Sequence, residues 1–123
     1  MAIFINPPAG RRVYSRTHTR LLHEAKVSGS IAQAWLFLEA AHVVGQLHFK
    51  HHLQTHTRMF LLALRTHDWN EATGQMLRLA LVPFGHLSGR LPIGNPGRST
   101  VSAFKPLPVR AELADLITLA RDQ

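Results

Sequence analysis

The sequence predicts an all-α protein: a compact bundle of about four to five helices, with an antiparallel helical hairpin at its centre and a long irregular C-terminal segment packed on it. Three observations carry this. Apolar residues recur every three to four positions over most of the chain. Helix-start signals stand at Ser30 and Asp68. No alternating strand pattern appears, even in the Gly, Pro, Ser and Asn-rich stretch from Gly85 to Pro108. With 123 residues, 46% hydrophobic and 17% charged, the chain is a single domain able to bury a core, without the composition of a disordered chain.

Residues 1–10 read as an N-terminal arm, because Asn6-Pro7-Pro8 and Gly10 oppose a continuous helix. A first helix is expected from Arg11 to Ser28, with Val13, Thr17, Leu21 and Ala25 inward and Arg12, Arg16 and Arg20 as a solvated basic stripe. Gly29 is placed to cap it, and Ser30 to start a second helix running to about Gly45. That helix turns Ile31, Ala34, Trp35, Leu38, Ala41 and His42 inward, with Glu39 at the border. A third helix is expected from Phe49 to Thr66, with Phe49, Leu53, Phe60 and Ala63 on its inner side among His52 and His56. Asp68, with Glu71 at capping-box spacing, opens a fourth helix that buries Trp69, Ala72, Met76, Leu79 and Ala80 and is kinked or ended by Pro83. The irregular segment 85–108 is expected to wrap over the bundle through Leu91, Ile93, Val101 and Phe104. A terminal helix over 109–121 buries Leu113, Leu116, Ile117 and Ala120.

The chain has no cysteine, which excludes disulfides, thiolate metal sites and cysteine nucleophiles. No apolar run is long enough to span a membrane, and MAIFINPPAGRR is no secretory leader, so a soluble cytoplasmic protein is expected. The net charge of +7 favours anionic partners. Nucleic acid is disfavoured, since exposed aromatics interleaved with the basic residues and any recognisable nucleic-acid motif are missing.

The chemistry concentrates in Trp35–His56, WLFLEAAHVVGQLHFKHHLQTH. Glu39 and His42 lie one helical turn apart before the Gly45-Gln46 break, and His52 and His56 lie four apart after it. In an antiparallel hairpin, facing positions share a nearly constant index sum, a condition met by His42 with His52 and by Glu39 with His56. Each buried imidazole nitrogen without a partner costs roughly 1–3 kcal/mol, so the inward histidines need one. Either Glu39, Gln46 and backbone groups satisfy them, or three nitrogens and one oxygen hold a metal. Two one-turn pairs in matching register favour a metal, with Zn²⁺ first and Ni²⁺, Cu²⁺ or Fe²⁺ as alternatives. His48, His51 and His18 are lesser candidate ligands.

LEAAHVVGQ, HLQTH, RTHDWNEATGQ and GRLPIGNPGRSTVSAFKPLPV resemble the small bacterial family catalogued as domain of unknown function 3703, over roughly Ala34 to Leu113. The matching elements are Glu39/His42, Gly45-Gln46, His52/His56, Gly74-Gln75, Gly89-Arg90, Pro92, Gly94-Asn95 and Lys105-Pro106. The resemblance implies the same four ligands, adds Arg90 and Asn95 as residues to contact an anion or substrate, and supplies no activity.

Three functions compete. The first is a small helical metal-binding protein with Glu39, His42, His52 and His56 closing the shell, as suits metal handling or metal-dependent structure. In the second, a metal-dependent hydrolase, three histidines hold the ion, Glu39 is the general base, and Arg90 or the 94–100 loop with Ser99 and Thr100 binds an anionic group of the substrate. The third is a metal-free interaction module using its basic surface.

Overall fold

A computed structural model describes residues 7–123 of the chain, with side chains from Arg12 onward. Five helices follow one another: α1 (Pro7–Val27), α2 (Ile31–Gly45), α3 (Phe49–Arg65), α4 (Trp69–Ser88) and α5 (Ala111–Arg121). The described residues include no strand. The central hairpin is α2–α3; α1 and α5 pack on α2, while α4 packs chiefly on α3. The core joins Leu21 and Leu22 of α1, Trp35, Leu38, Val43 and Val44 of α2, Met59 and Leu62 of α3, and Leu113 and Ile117 of α5.

Several local expectations need correction. The first helix starts at Pro7 rather than Arg11. Prolines are tolerated in a first turn because those amides have no intrahelical partner. The rest of the expected arm, residues 1–6, lies outside the described residues. Of the first-helix stripe, Thr17, Leu21 and Ala25 are buried, joined by Tyr14, His18 and Leu22. Arg12, Arg16 and Arg20 are exposed. Ser30 caps α2 by accepting from the Gln33 N–H at 3.1 Å. Gly29 does not adopt the left-handed conformation of a glycine cap, and Ile31 is exposed.

The inner face of α3 is His52, Thr55, His56, Met59, Leu62 and Ala63, with Phe49 left exposed. The face of α4 is turned relative to expectation: of the expected residues Ala72 is buried and Leu79 half-buried, but Trp69, Met76 and Ala80 are exposed. Trp69, Met76, Leu77, Phe84 and Leu87 point outward, and Glu71, Ala72, Gln75, Arg78 and Val82 point inward. Asp68 caps the helix through the Glu71 N–H at 3.1 Å, but the Glu71 carboxylate is engaged elsewhere. Pro83 neither ends the helix nor stops its continuation to Ser88. It removes one ladder donor, and the helix closes at Gly89, with φ 71° and an N–H bonded to the Gly85 carbonyl.

The irregular segment therefore begins near residue 90. It is seated by Pro92 and Gly94–Gly97, which are buried, whereas Ile93 and Phe104 are exposed. Gly94 has φ 81°, and a Cβ there would strike the Leu107 carbonyl oxygen. The close approach and the positive φ both require glycine. Gly94→Ala should cost at least about 2 kcal/mol. A urea midpoint that falls with an unchanged slope would report it; an unshifted midpoint would contradict this account.

Candidate metal centre

α2 ends and α3 begins within a three-residue connection, which holds the facing turns of the hairpin together. His42 on α2 points between His52 and His56, one turn apart on α3. Their Nε2 atoms converge: His42 to His52 is 3.1 Å, His42 to His56 is 3.1 Å, and His52 to His56 is 3.2 Å. All three residues are buried, and the three together could hold a metal ion.

The outer ring nitrogens define the tautomers of His42 and His56. His42 Nδ1 lies 2.6 Å from the Asn95 carbonyl oxygen, which can only accept, so Nδ1 carries the proton. Gln75 Nε2 donates to Glu71 Oε2 at 2.8 Å and to the Gly97 carbonyl at 2.9 Å. That leaves Gln75 Oε1 to accept from His56 Nδ1 at 2.7 Å. His52 Nδ1 pairs with His86 Nε2 at 3.0 Å, a contact in which either nitrogen can donate. The Nε2 atoms of His42 and His56 therefore present lone pairs to the same point, and His52 Nε2 joins them when its proton is on Nδ1.

Burial, and then the neighbouring His56 and His52, push His42 well below the ordinary imidazole range. Burial likewise lowers His52 to about 3 and His56 to about 4. All three rings are therefore neutral near pH 7, the form in which an imidazole can bind a metal.

Glu39 is placed differently from the expected fourth ligand. Its carboxylate accepts from Arg98 Nη1 at 3.3 Å and Arg110 Nη2 at 3.0 Å. Two arginines from far along the chain claim it before the histidines can. Glu71 carries a second buried carboxylate, bonded by Arg98 Nε, the Ser99 N–H and Gln75, each at 2.8 Å. Burial opposes its ionisation, but these donors together hold it below the ordinary carboxylate range. Arg98 also lies over the Trp35 ring, 3.8 Å from its centroid.

His18 and His51 form a separate cluster, with ring centroids 4.6 Å apart. His48 lies 5.7 Å from His51, centroid to centroid. The Thr55 hydroxyl donates to the His51 carbonyl at 2.8 Å and so accepts from His18 Nε2 at 2.7 Å. Asn95 is buried, and its side chain is spent inside its own segment, donating to the Ser102 and Lys105 carbonyls at 2.7 and 3.0 Å and accepting from the Gly97 N–H at 2.9 Å. Its contribution to the site is the backbone carbonyl that orients His42. Arg90 lies on the wall of a cavity of about 240 Å³ that the three histidines also line.

A family described as "Protein of unknown function (DUF3703)" matches residues 10–117. The chain belongs to that family. No curated protein and no solved structure matches it. In this DUF3703 chain the elements that carry the family resemblance meet around the triad. Gln46, with its amide turned to satisfy both neighbours, donates to the Pro92 carbonyl at 3.1 Å and accepts from the Gly94 N–H at 2.8 Å. Gln75 reaches Gly97.

Sequence reasoning missed Glu71, Gln75, Arg78, His86, Arg98 and Arg110 as parts of this DUF3703 site. A usable signal existed for α4: Glu71, Gln75, Arg78 and Val82 form a helical stripe of their own, which competes with the apolar one.

In the metal-free protein, His18, His52 and His56 stay neutral when folded, with pKa values about 3, 3 and 4, and ordinary when unfolded. Their stabilising contribution is complete above about pH 6.5 and is lost as pH falls toward the folded values. Each should cost roughly 2 kcal/mol between pH 6.5 and 5. The Tm of metal-stripped protein should drop by more than about 10 °C over that interval; a flat Tm would show that the unfolded state gains no protons over the folded one.

Proposed function

We propose that this protein binds one divalent transition metal, Zn²⁺ first among the candidates, through His42, His52 and His56, and that the ion keeps coordination positions for an outside ligand. The supporting observation is the convergence of three Nε2 atoms whose rings are each tied down through Nδ1. The Nε2 lone pairs of His42 and His56, fixed by the protons on Nδ1, face each other at 3.1 Å and favour a cation between them and His52, and deep burial opposes supplying that cation as an added proton.

The spacing suits such an ion. With metal–nitrogen bonds of about 2.05 Å, nitrogens 3.1–3.2 Å apart subtend roughly 100° and leave the ion about 1 Å from their plane. This is one face of a tetrahedron or an octahedron. With Glu39 held by arginines, the protein contributes three ligands rather than four, and the cavity lies against the same histidines. An open shell of this kind serves ligand exchange, in metal handling or in metal-dependent chemistry, better than it serves as a closed structural staple. The hydrolytic alternative with Glu39 as general base is disfavoured, because that carboxylate is paired with Arg98 and Arg110.

Elemental analysis of untagged protein should find one equivalent of metal. His52→Ala/His56→Ala should abolish it and Glu39→Gln should retain it; wild type that is metal-free and cannot be reconstituted would sink the reading. Gln75→Leu removes the acceptor that fixes His56 and should weaken metal binding about 10–100-fold. Competition with a chromophoric chelator measures that change, and unchanged affinity would remove Gln75 from the site.

A further inference from the structure

We infer that the cavity beside the triad binds a small carboxylate with an apolar body, one carboxylate oxygen completing the metal's coordination and the other accepting from the Arg78 guanidinium. The inference rests on the metal-centre reading above and names what the open positions take.

Charge is the first argument. Three neutral imidazoles leave both charges of a divalent ion uncompensated. Arg78 adds another cation on the same wall while only 8% exposed. It donates to the carbonyls of Gly74 and Val101, which uses two of the five N–H groups of a guanidinium. Among the described residues no carboxylate lies within ion-pair distance of it. Glu71, whose opposite charge acts on Arg78, is already engaged by Arg98, Ser99 and Gln75. No Asp or Glu lines the cavity, whereas Arg90 does. Buried charge of one sign calls for a counter-charge, and no carboxylate of the described residues lines the cavity to supply it.

Shape and polarity are the second. Beyond the histidines and arginines the wall is largely apolar, with Leu81, Val82, Phe84, Leu91 and Phe104. Phe84 and Phe104 are 67% and 73% exposed, so the rim offers hydrocarbon to an entering molecule. Inorganic anions would leave that surface unused. The volume of about 240 Å³ falls below the roughly 300–1,000 Å³ of drug-sized sites, which matches a compact organic acid.

The test uses the full chain loaded with Co²⁺, whose visible spectrum reports its ligands, titrated with benzoate, acetate and benzamide. Benzoate should shift the spectrum saturably and bind at least tenfold tighter than acetate, and benzamide should leave the spectrum unchanged. Arg78→Met should keep one equivalent of cobalt and weaken benzoate at least tenfold, with Arg78→Lys in between. Should Arg78→Met not fold, the wild-type ligand series decides alone. Bound cobalt whose spectrum benzoate does not move, or moves no more readily than acetate or benzamide does, overturns the carboxylate site and leaves the metal centre standing. Failure to take up cobalt at all overturns both.

Discussion

Three imidazole nitrogens held 3.1–3.2 Å apart in a buried site impose conditions on everything around them. Each ring must be neutral, turned inward and fixed, so each outer nitrogen needs a partner in a defined place. For His42 that partner is a backbone carbonyl of the irregular segment; for His56 it is a glutamine of α4. That glutamine's orientation depends on Glu71 and Gly97, and Glu71 in turn depends on Arg98. The requirement thus spreads from one point through α2, α3, α4 and the segment. Such a network stabilises the fold only if every member is satisfied.

This chain of requirements explains the turned face of α4. An amphipathic helix normally turns its apolar stripe to the core. Here the inward positions are claimed by Glu71, Gln75 and Arg78, which serve the site, and Trp69, Met76 and Phe84 are left outside. Apolar periodicity locates the helix correctly and its buried face incorrectly, because periodicity counts hydrophobic residues and cannot weigh a polar network against them.

The same distinction separates what was legible in the sequence from what was not. The helical class, the α2–α3 hairpin and the inward direction of His42, His52 and His56 follow from spacing along the chain, since i, i+4 pairs and short connections are local geometry. The partners of Glu39 were not legible. Arg98 and Arg110 lie 59 and 71 residues away from it, and no local pattern encodes that meeting. Glu39 satisfies the hairpin register as well as His42 does, but a carboxylate with two arginines in reach forms charge-assisted bonds with them.

The irregular segment shows how a stretch without regular structure can still be held in one position. Its backbone groups need partners that a helix or sheet would otherwise supply, and two buried glutamines provide them, Gln46 at Pro92 and Gly94 and Gln75 at Gly97. The residue preceding each glutamine is a glycine in a crowded place: a Cβ at Gly45 would fall 2.7 Å from the His18 ring, and one at Gly74 would collide with Ser99. Between the two glutamine contacts stands Asn95, whose carbonyl meets His42, and at Gly97 itself a Cβ would lie 2.5 Å from the same ring. A one-residue slip would remove the carbonyl from His42 and put a side chain against it. The segment is therefore placed by the triad as much as the triad is oriented by the segment. Because Leu91, Pro92, Asn95, Gly97 and Phe104 also wall the cavity, access to the open side of the site is governed by the same stretch of chain that orients His42.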